Sequence, residues 1–285
     1  MTTSDDQDAP TKLKRGTSAL SIEQWFQTAI EAGRLKHQEP LDSTRQLASE
    51  WGTSVATITR AMQGLEAKGL IISRDRSSRL VNYPPENLTG SRGSSRPQVV
   101  VIGGYAGSGK TELGRIFARA TGWAMLDKDT TTRPVVEAAL ERLGVSPHDR
   151  ESDVYLGTIR PAEYEALMSS MTENVDCGVS VVMTAPFIRE LKDQAWCDRI
   201  SAAVKAKGAD LHVIWVRCDP ESMRTYIKHR GAARDAAKLA NWSSYLSGVD
   251  LQFTPALPHV VIDNSQGARP LQQQAGEFLT SVGVR

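Results

Sequence analysis

The run Gly104-Tyr105-Ala106-Gly107-Ser108-Gly109-Lys110-Thr111 constrains this chain more than any other stretch. It has the form G-x-x-x-x-G-K-[ST]. Val99-Val100-Val101-Ile102, just before it, is an apolar β-branched run that predicts a buried strand. Leu113, Ile116, Phe117 and Ala120, just after it, recur at helical spacing, and Gly122 closes that run. Strand, glycine loop and helix together are the setting in which such a loop holds phosphate. Gly104, Gly107, Ser108 and Gly109 would form the cradle. Without Cβ atoms in the way, main-chain N–H groups converge on phosphate oxygens, and the helix adds the positive end of its dipole. Lys110 is expected at the β and γ phosphates and the Thr111 hydroxyl on Mg²⁺, so ATP with Mg²⁺ is the expected ligand.

A chain of 285 residues has room for two domains. The net charge of +1 excludes nothing, but its distribution is uneven. Residues 12–96 carry 13 Lys+Arg against 8 Asp+Glu, while residues 97–285 carry 21 against 22. A basic front part suits DNA without proving it. Cys177, Cys197 and Cys218 are odd in number and lack C-x-x-C spacing. They read as reduced thiols, two of them core residues, and support neither a metal site nor a disulfide framework. No apolar run approaches the ~18 residues of a membrane span. Met1-Thr2-Thr3-Ser4-Asp5-Asp6 lacks the basic start and apolar core of a signal peptide. The expectation is a cytoplasmic protein, with no membrane contact and a disordered segment over residues 1–17.

The front domain is expected over residues 18–83. Ser21-Ile22-Glu23-Gln24 reads as a capping box, followed by the stripe Ile22, Trp25, Phe26, Ala29, Ile30 and a stop at Gly33. Ser43-Thr44-Arg45-Gln46 is a second box, with Leu47, Ala48 and Trp51 as its buried face. Ser54 opens a third helix, with Val55, Ile58, Met62 and Leu65 inward and Gly69 at its end. The Gly52-Thr53 turn between the last two helices has helix-turn-helix spacing. Leu70-Ile71-Ile72-Ser73 and Arg79-Leu80-Val81-Asn82 are two short strands around a polar tip, a β-wing.

These residues, above all 43–48, 53–62 and 65–71, resemble the winged helix-turn-helix of GntR-type bacterial transcription regulators. The resemblance implies an operator in double-stranded DNA as partner. It implies that Ser54, Ala56, Thr57, Thr59 and Arg60 face the duplex and that Arg45 contacts phosphate or a base edge. Arg74, Arg76 and Arg79 would line the wing. Two departures stand out: Asp42 where the family has proline, and Ser77-Ser78 where its wing tip has glycines. The acid should weaken phosphate contact, and the serines re-aim the wing. A homodimer is expected, because such domains read paired half-sites.

Residues 84–97, rich in Pro, Gly and Ser, read as a linker to a domain over 98–285. There, Trp123-Ala124-Met125-Leu126 is a second strand running into Asp127-Lys128-Asp129. Ligands sit at the carboxyl ends of parallel strands, so these acids should face the phosphates. Val179–Thr184, Leu211–Arg217 and His259–Asp263 complete five parallel strands. The third ends in Thr184 rather than in the acid of motor-type NTPases.

The D-x-D after the second strand resembles shikimate kinase and related P-loop kinases of small molecules. That resemblance implies Asp127 as the acid on the Mg²⁺ side and Asp129 as the base for an attacking hydroxyl. Arg133, Asp153 and Arg160 are candidate acceptor-site residues. Arg230 and Arg234, four apart, would share a helical face as lid arginines, and Asn264 would lie where such kinases hold adenine. The fold class is therefore a winged helix-turn-helix followed by a P-loop α/β domain with a five-stranded parallel sheet. Three functions stay open. One is a regulator whose DNA affinity follows ATP or a small molecule bound beside it. Another is a phosphotransferase acting on a small hydroxylated metabolite, an antibiotic or a nucleic-acid 5′ end. The third is an ATP sensor that has lost catalysis.

Overall fold

The computed structural model describes residues 18–74, 78–84, 96–231 and 235–284. The tail 1–17, most of the 84–97 join, Arg76 and Arg234 lie outside the described residues. The chain divides into two compact units between Ser94 and Ser95.

The first unit holds α1 (Ala19–Glu31), β1 (Pro40–Leu41), α2 (Thr44–Glu50), α3 (Val55–Ala67), β2 (Ile71–Arg74) and β3 (Ser78–Val81). Its core is Ile22, Phe26 and Ile30 of α1 against Ile58, Met62 and Leu65 of α3, with Leu47, Ile71 and Val81 closing the sides. Trp25, Phe26 and Trp51 pack ring on ring at 5.0–5.7 Å. Two local expectations change. The α1 cap is Ser18, whose Oγ accepts the Ser21 N–H at 3.2 Å, so the helix begins three residues early and Ser21 lies inside it. Val55 is exposed, because as the first residue of α3 it precedes the turn that meets α1. The box at Ser43 and Gln46 forms as expected. The wing gains a third strand: β1 pairs antiparallel with β3, giving the order β1-β3-β2. Two residues, one of them proline, carry no strand periodicity.

The second unit holds β4 (Gln98–Gly103), α4 (Lys110–Thr121), β5 (Ala124–Asp127), α5 (Lys128–Arg142), α6 (Arg160–Asp176), β6 (Val181–Thr184) and α7 (Gln194–Ala206). It continues with β7 (Asp210–Arg217), α8 (Pro220–Arg230), α9 (Ala236–Ala240), α10 (Trp242–Ser247), β8 (Val260–Asp263) and α11 (Leu271–Ser281). The sheet is parallel, in the order β5-β6-β4-β7-β8. After β4 the chain builds β5 and β6 on one side, then crosses to build β7 and β8 on the other. Residues of β4 alternate between two cores. Val99 and Val101 pack toward α6 and α7, and Val100 and Ile102 toward α4 and α11. A strand buried on both faces must be apolar throughout. The register sets Asp127 of β5 opposite Thr184 of β6, and Thr184 opposite Ile102 of β4, so the strand ends converge at one edge.

Leu65 is fully buried between α1, α3 and the wing, whereas Val55 is 47% exposed. Leu65→Ala should destabilise the first unit by about 2–5 kcal/mol, and Val55→Ala should stay within about 0.5 kcal/mol. Amide hydrogen exchange of the first unit within the full chain, followed across a urea series, measures both.

Candidate nucleotide site and candidate DNA interface

The phosphate loop leaves β4 at Gly103 and enters α4 at Lys110. Gly107 and Gly109 have φ of 81° and 94°, in the left-handed region that only glycine enters without strain. A Cβ at Gly107 would meet the Met223 carbonyl at 2.7 Å, and one at Gly109 would collide with the Asn264 amide. Lys110 Nζ donates to the Tyr105 carbonyl at 2.8 Å, which folds the ammonium over the loop. The loop is held from two further sides. Tyr245 Oη donates to the Ala106 carbonyl at 3.4 Å, and Tyr105 Oη accepts the Asp250 N–H at 3.0 Å.

Asp127 is the hub of the site. Its Oδ2 accepts the Thr111 hydroxyl at 3.0 Å and the Thr184 hydroxyl at 2.7 Å. Its Oδ1 accepts the Thr130 N–H at 2.9 Å and so caps α5. Helix α5 starts at once, so Asp127-Lys128-Asp129 is a helix entry rather than a loop. Among the described residues no group of three or more His, Cys, Asp or Glu forms a metal site. Thr111 and Asp127 offer oxygens to a hard cation whose other positions would go to phosphate and water.

The loop opens on a cavity of about 610 Å³. Lys110, Thr111, Asp127, Asp129 and Arg160 line it, together with Thr184. Arg133 and Asp153 are exposed and do not line it. Asn264 lies behind the loop, where its Nδ2 donates to the Ser108 carbonyl at 3.0 Å. Arg230 ends α8, and Gly231 follows with φ 61°. That left-handed residue stops the helix.

Arg160 apart, the residues that complete this wall escaped the sequence reading. Lys128 points into a buried network: its Nζ lies 2.7 Å from Glu163 Oε1 and 3.1 Å from Asp129 Oδ1. Glu163 also accepts the Thr132 and Tyr155 hydroxyls, each at 2.7 Å. A π-helical turn over Tyr155–Ile159 leads into α6 and sets Tyr155, Arg160, Glu163 and Tyr164 on the site. Arg160 forms a two-pronged pair with Glu190, at 2.6 and 2.8 Å, and its guanidinium lies 4.5 Å over the Tyr164 ring. The available signal was faint: Arg160-Pro161 marks a helix start, but nothing local ties Lys128 to an acid 35 residues away.

In the winged unit, α2 presents Arg45 and α3 presents Ala56 and Arg60 to solvent. The Ser54 hydroxyl caps α3 through the Thr57 N–H at 3.1 Å and bonds the Thr57 hydroxyl at 2.8 Å. Thr59 Oγ1 turns back to the Val55 carbonyl at 2.9 Å. On the wing Arg74 is exposed, while Arg79 lies 3.4 Å from Glu66 of α3.

Residues 99–251, more than half of the chain, match the family model described as AAA domain. The chain belongs to this family. Within this AAA-domain protein, residues 19–81 match the model of bacterial regulatory proteins of the gntR family. It thus joins a gntR-type DNA-binding winged helix to a P-loop, kinase-like, nucleotide-binding domain. A shikimate kinase of Moorella thermoacetica is 34% identical over 128 residues, which cover 40% of this chain and 66% of that enzyme. The chain thus spans just under two thirds of that relative's length. A sugar kinase from Janibacter sp. superposes with a TM-score of 0.45 at 19% identity, over 66% of this chain and 95% of that one. YtrA from Sulfolobus acidocaldarius, a GntR-family transcription factor, superposes with a TM-score of 0.23 at 25% identity, over 27% of this chain and 81% of that one. No helix among the described residues is long and apolar enough to cross a membrane.

Burial, then the Glu163 charge and the hydrogen bond to it, push the Tyr155 phenol well above its ordinary value of 10. The stability this contributes is fully present below about pH 10 and is gone once the pH passes the raised folded-state value. Tyr155→Phe should cost about 1–3 kcal/mol at neutral pH, and its deficit against the wild type should shrink only above about pH 10. Thermal unfolding of both proteins across an alkaline series measures this.

Proposed function

We propose that this protein is a bacterial transcription regulator whose DNA affinity is set by ATP, or by a small molecule bound beside it, at the P-loop domain. The reading rests on one observation. A phosphate loop with Lys110 over it and an open cavity beside it belongs to the same chain as a gntR-type winged helix. Gly104, Gly107, Ser108 and Gly109 would cradle the phosphates, Lys110 would bridge β and γ, and Thr111 with Asp127 would hold Mg²⁺, directly or through water. When bound, Mg²⁺ neutralises charge across the β and γ phosphates. The left-handed φ at Gly107 and Gly109 and their close packing against Met223 and Asn264 support the fit, since only glycine lets the loop take this shape. On the DNA side Ser54, Ala56, Thr57, Thr59 and Arg60 would enter the major groove. Arg45, Arg74, Arg76 and Arg79 would contact phosphates and the wing's groove. A homodimer on paired half-sites, in the cytoplasm, completes the reading.

Phosphoryl transfer is the second reading. It is favoured by Asp129, which lines the same cavity as Lys110 and lies against the buried Lys128. Asp129 would take the proton of an acceptor hydroxyl, and Arg230 and Arg234 would close over the transferring group. Arg133, Asp153 and Arg160 would serve the acceptor, and Asn264 the adenine end.

Gating requires ATP to bind one DNA-affinity state more tightly than the other, about tenfold for each 1.4 kcal/mol of coupling. Fluorescence anisotropy on DNA from upstream of the protein's own gene, at fixed salt with Mg²⁺, is the test. Compared without nucleotide and with ADP, ATP or a non-hydrolysable analogue, specific affinity should change at least several-fold with ATP. Lys110→Ala should abolish the change and leave the nucleotide-free affinity intact. Arg60→Ala should weaken specific binding by about 1–3 kcal/mol. Specific affinity indifferent to every nucleotide would defeat ATP gating.

A further inference from the structure

The cavity is larger than a phosphate loop needs. Beyond the loop it is lined by Lys128, Asp129, Arg150, Tyr155, Arg160 and Tyr164. Besides Lys110, four cations line the cavity among the described residues, and three of these four face carboxylates. Lys128 is 2.7 Å from Glu163 and 3.1 Å from Asp129, Arg160 grips Glu190 with both prongs, and Lys238 is 3.7 Å from Asp235. The fourth, Arg150, donates to the Pro147 carbonyl at 3.0 Å and lies 5.2 Å over the Tyr155 ring.

We propose that this part of the cavity takes an uncharged small molecule rich in hydroxyl groups and discriminates against carboxylates and phosphates. The proposal deepens the reading of the neighbouring loop as a nucleotide site, and it names the acceptor or effector of that reading. A ligand anion seeking Arg160 would have to displace Glu190, whose side chain is 8% exposed, and leave that carboxylate buried without its partner. That is strongly unfavourable. The same holds for Lys128, whose partner Glu163 is 3% exposed. Ion pairs at a cavity wall also offer a donor and an acceptor side by side. A hydroxyl matches such a pair, because it accepts from the cation while donating to the carboxylate. A carboxylate or phosphate dianion only accepts, and so meets repulsion from half of each pair. Lys128 and Asp129, both on the cavity wall, make such a pair, and a polyol chain or ring presents hydroxyls at several successive positions.

The test uses the full chain, saturated with Mg²⁺ and a non-hydrolysable ATP analogue, in calorimetric titrations with matched probes. Ribitol, xylitol, glucitol and myo-inositol are set against ribonate, xylonate, gluconate and shikimate. At least one neutral probe should bind, and should bind at least about tenfold more tightly than its acid counterpart. Glu190→Gln frees the Arg160 charge and should move the preference toward the acid, with folding checked by retained affinity for the ATP analogue. An acid that binds the wild type as tightly as its neutral partner would overturn the proposal, and so would a panel in which no neutral probe binds. If the ATP analogue itself fails to bind, the nucleotide reading falls. The same titrations without nucleotide then still decide, by whether a neutral probe binds in preference to its acid.

Discussion

The Asp127 carboxylate is the junction on which the second domain's site depends. One oxygen gathers hydroxyls from Thr111 at the start of α4 and Thr184 at the end of β6, and the other caps α5. A single side chain thereby ties the phosphate loop's helix, a central strand and the helix carrying Lys128 and Asp129. The strand register makes this possible, since Asp127 and Thr184 are direct neighbours across β5 and β6. Charge-assisted hydrogen bonds of this kind are roughly twice as strong as neutral ones, so the hub is well suited to fixing geometry before any ligand arrives.

Behind that hub lies a second layer with a different purpose. Glu163 accepts three donors, from Lys128, Thr132 and Tyr155, so a nearly buried carboxylate is fully matched. A buried ion pair is weak evidence for stability, because desolvation offsets much of the attraction. Its placement at a cavity wall instead suits a part that sets ligand choice. The Arg160–Glu190 pair repeats the arrangement one wall further on. The P-loop domain therefore combines Lys110 at the loop with a wall on which Lys128 and Arg160 already face carboxylates.

The winged unit is built with the opposite economy. Its core is apolar and aromatic, and its polar side chains are spent on caps, as at Ser18, Ser43 and Ser54. Toward solvent α2 and α3 present Arg45, Ala56 and Arg60 among other exposed side chains, Gln46, Glu50 and Gln63 included. On the wing Arg79 is held against Glu66 of α3.

Much of this was legible in the residue string. The phosphate loop, the three helices of the front domain, the wing hairpin and all five parallel strands are local patterns: periodicity, caps, glycines and β-branched runs act over a few residues. Chain order likewise brought Lys110, Thr111 and Asp127 to one place, because the carboxyl ends of parallel strands share an edge. The tertiary structure alone decided which distant charges meet. Lys128 finds Glu163 across 35 residues and Arg160 finds Glu190 across 30, through the packing of α5 and α6 and the turn after β6. It also set the Asn264 amide against the Ser108 carbonyl and ended α8 at Arg230. The physical reason is range. Backbone preference is set by neighbours in sequence, whereas pairing of long polar side chains is settled only when the helices carrying them are packed.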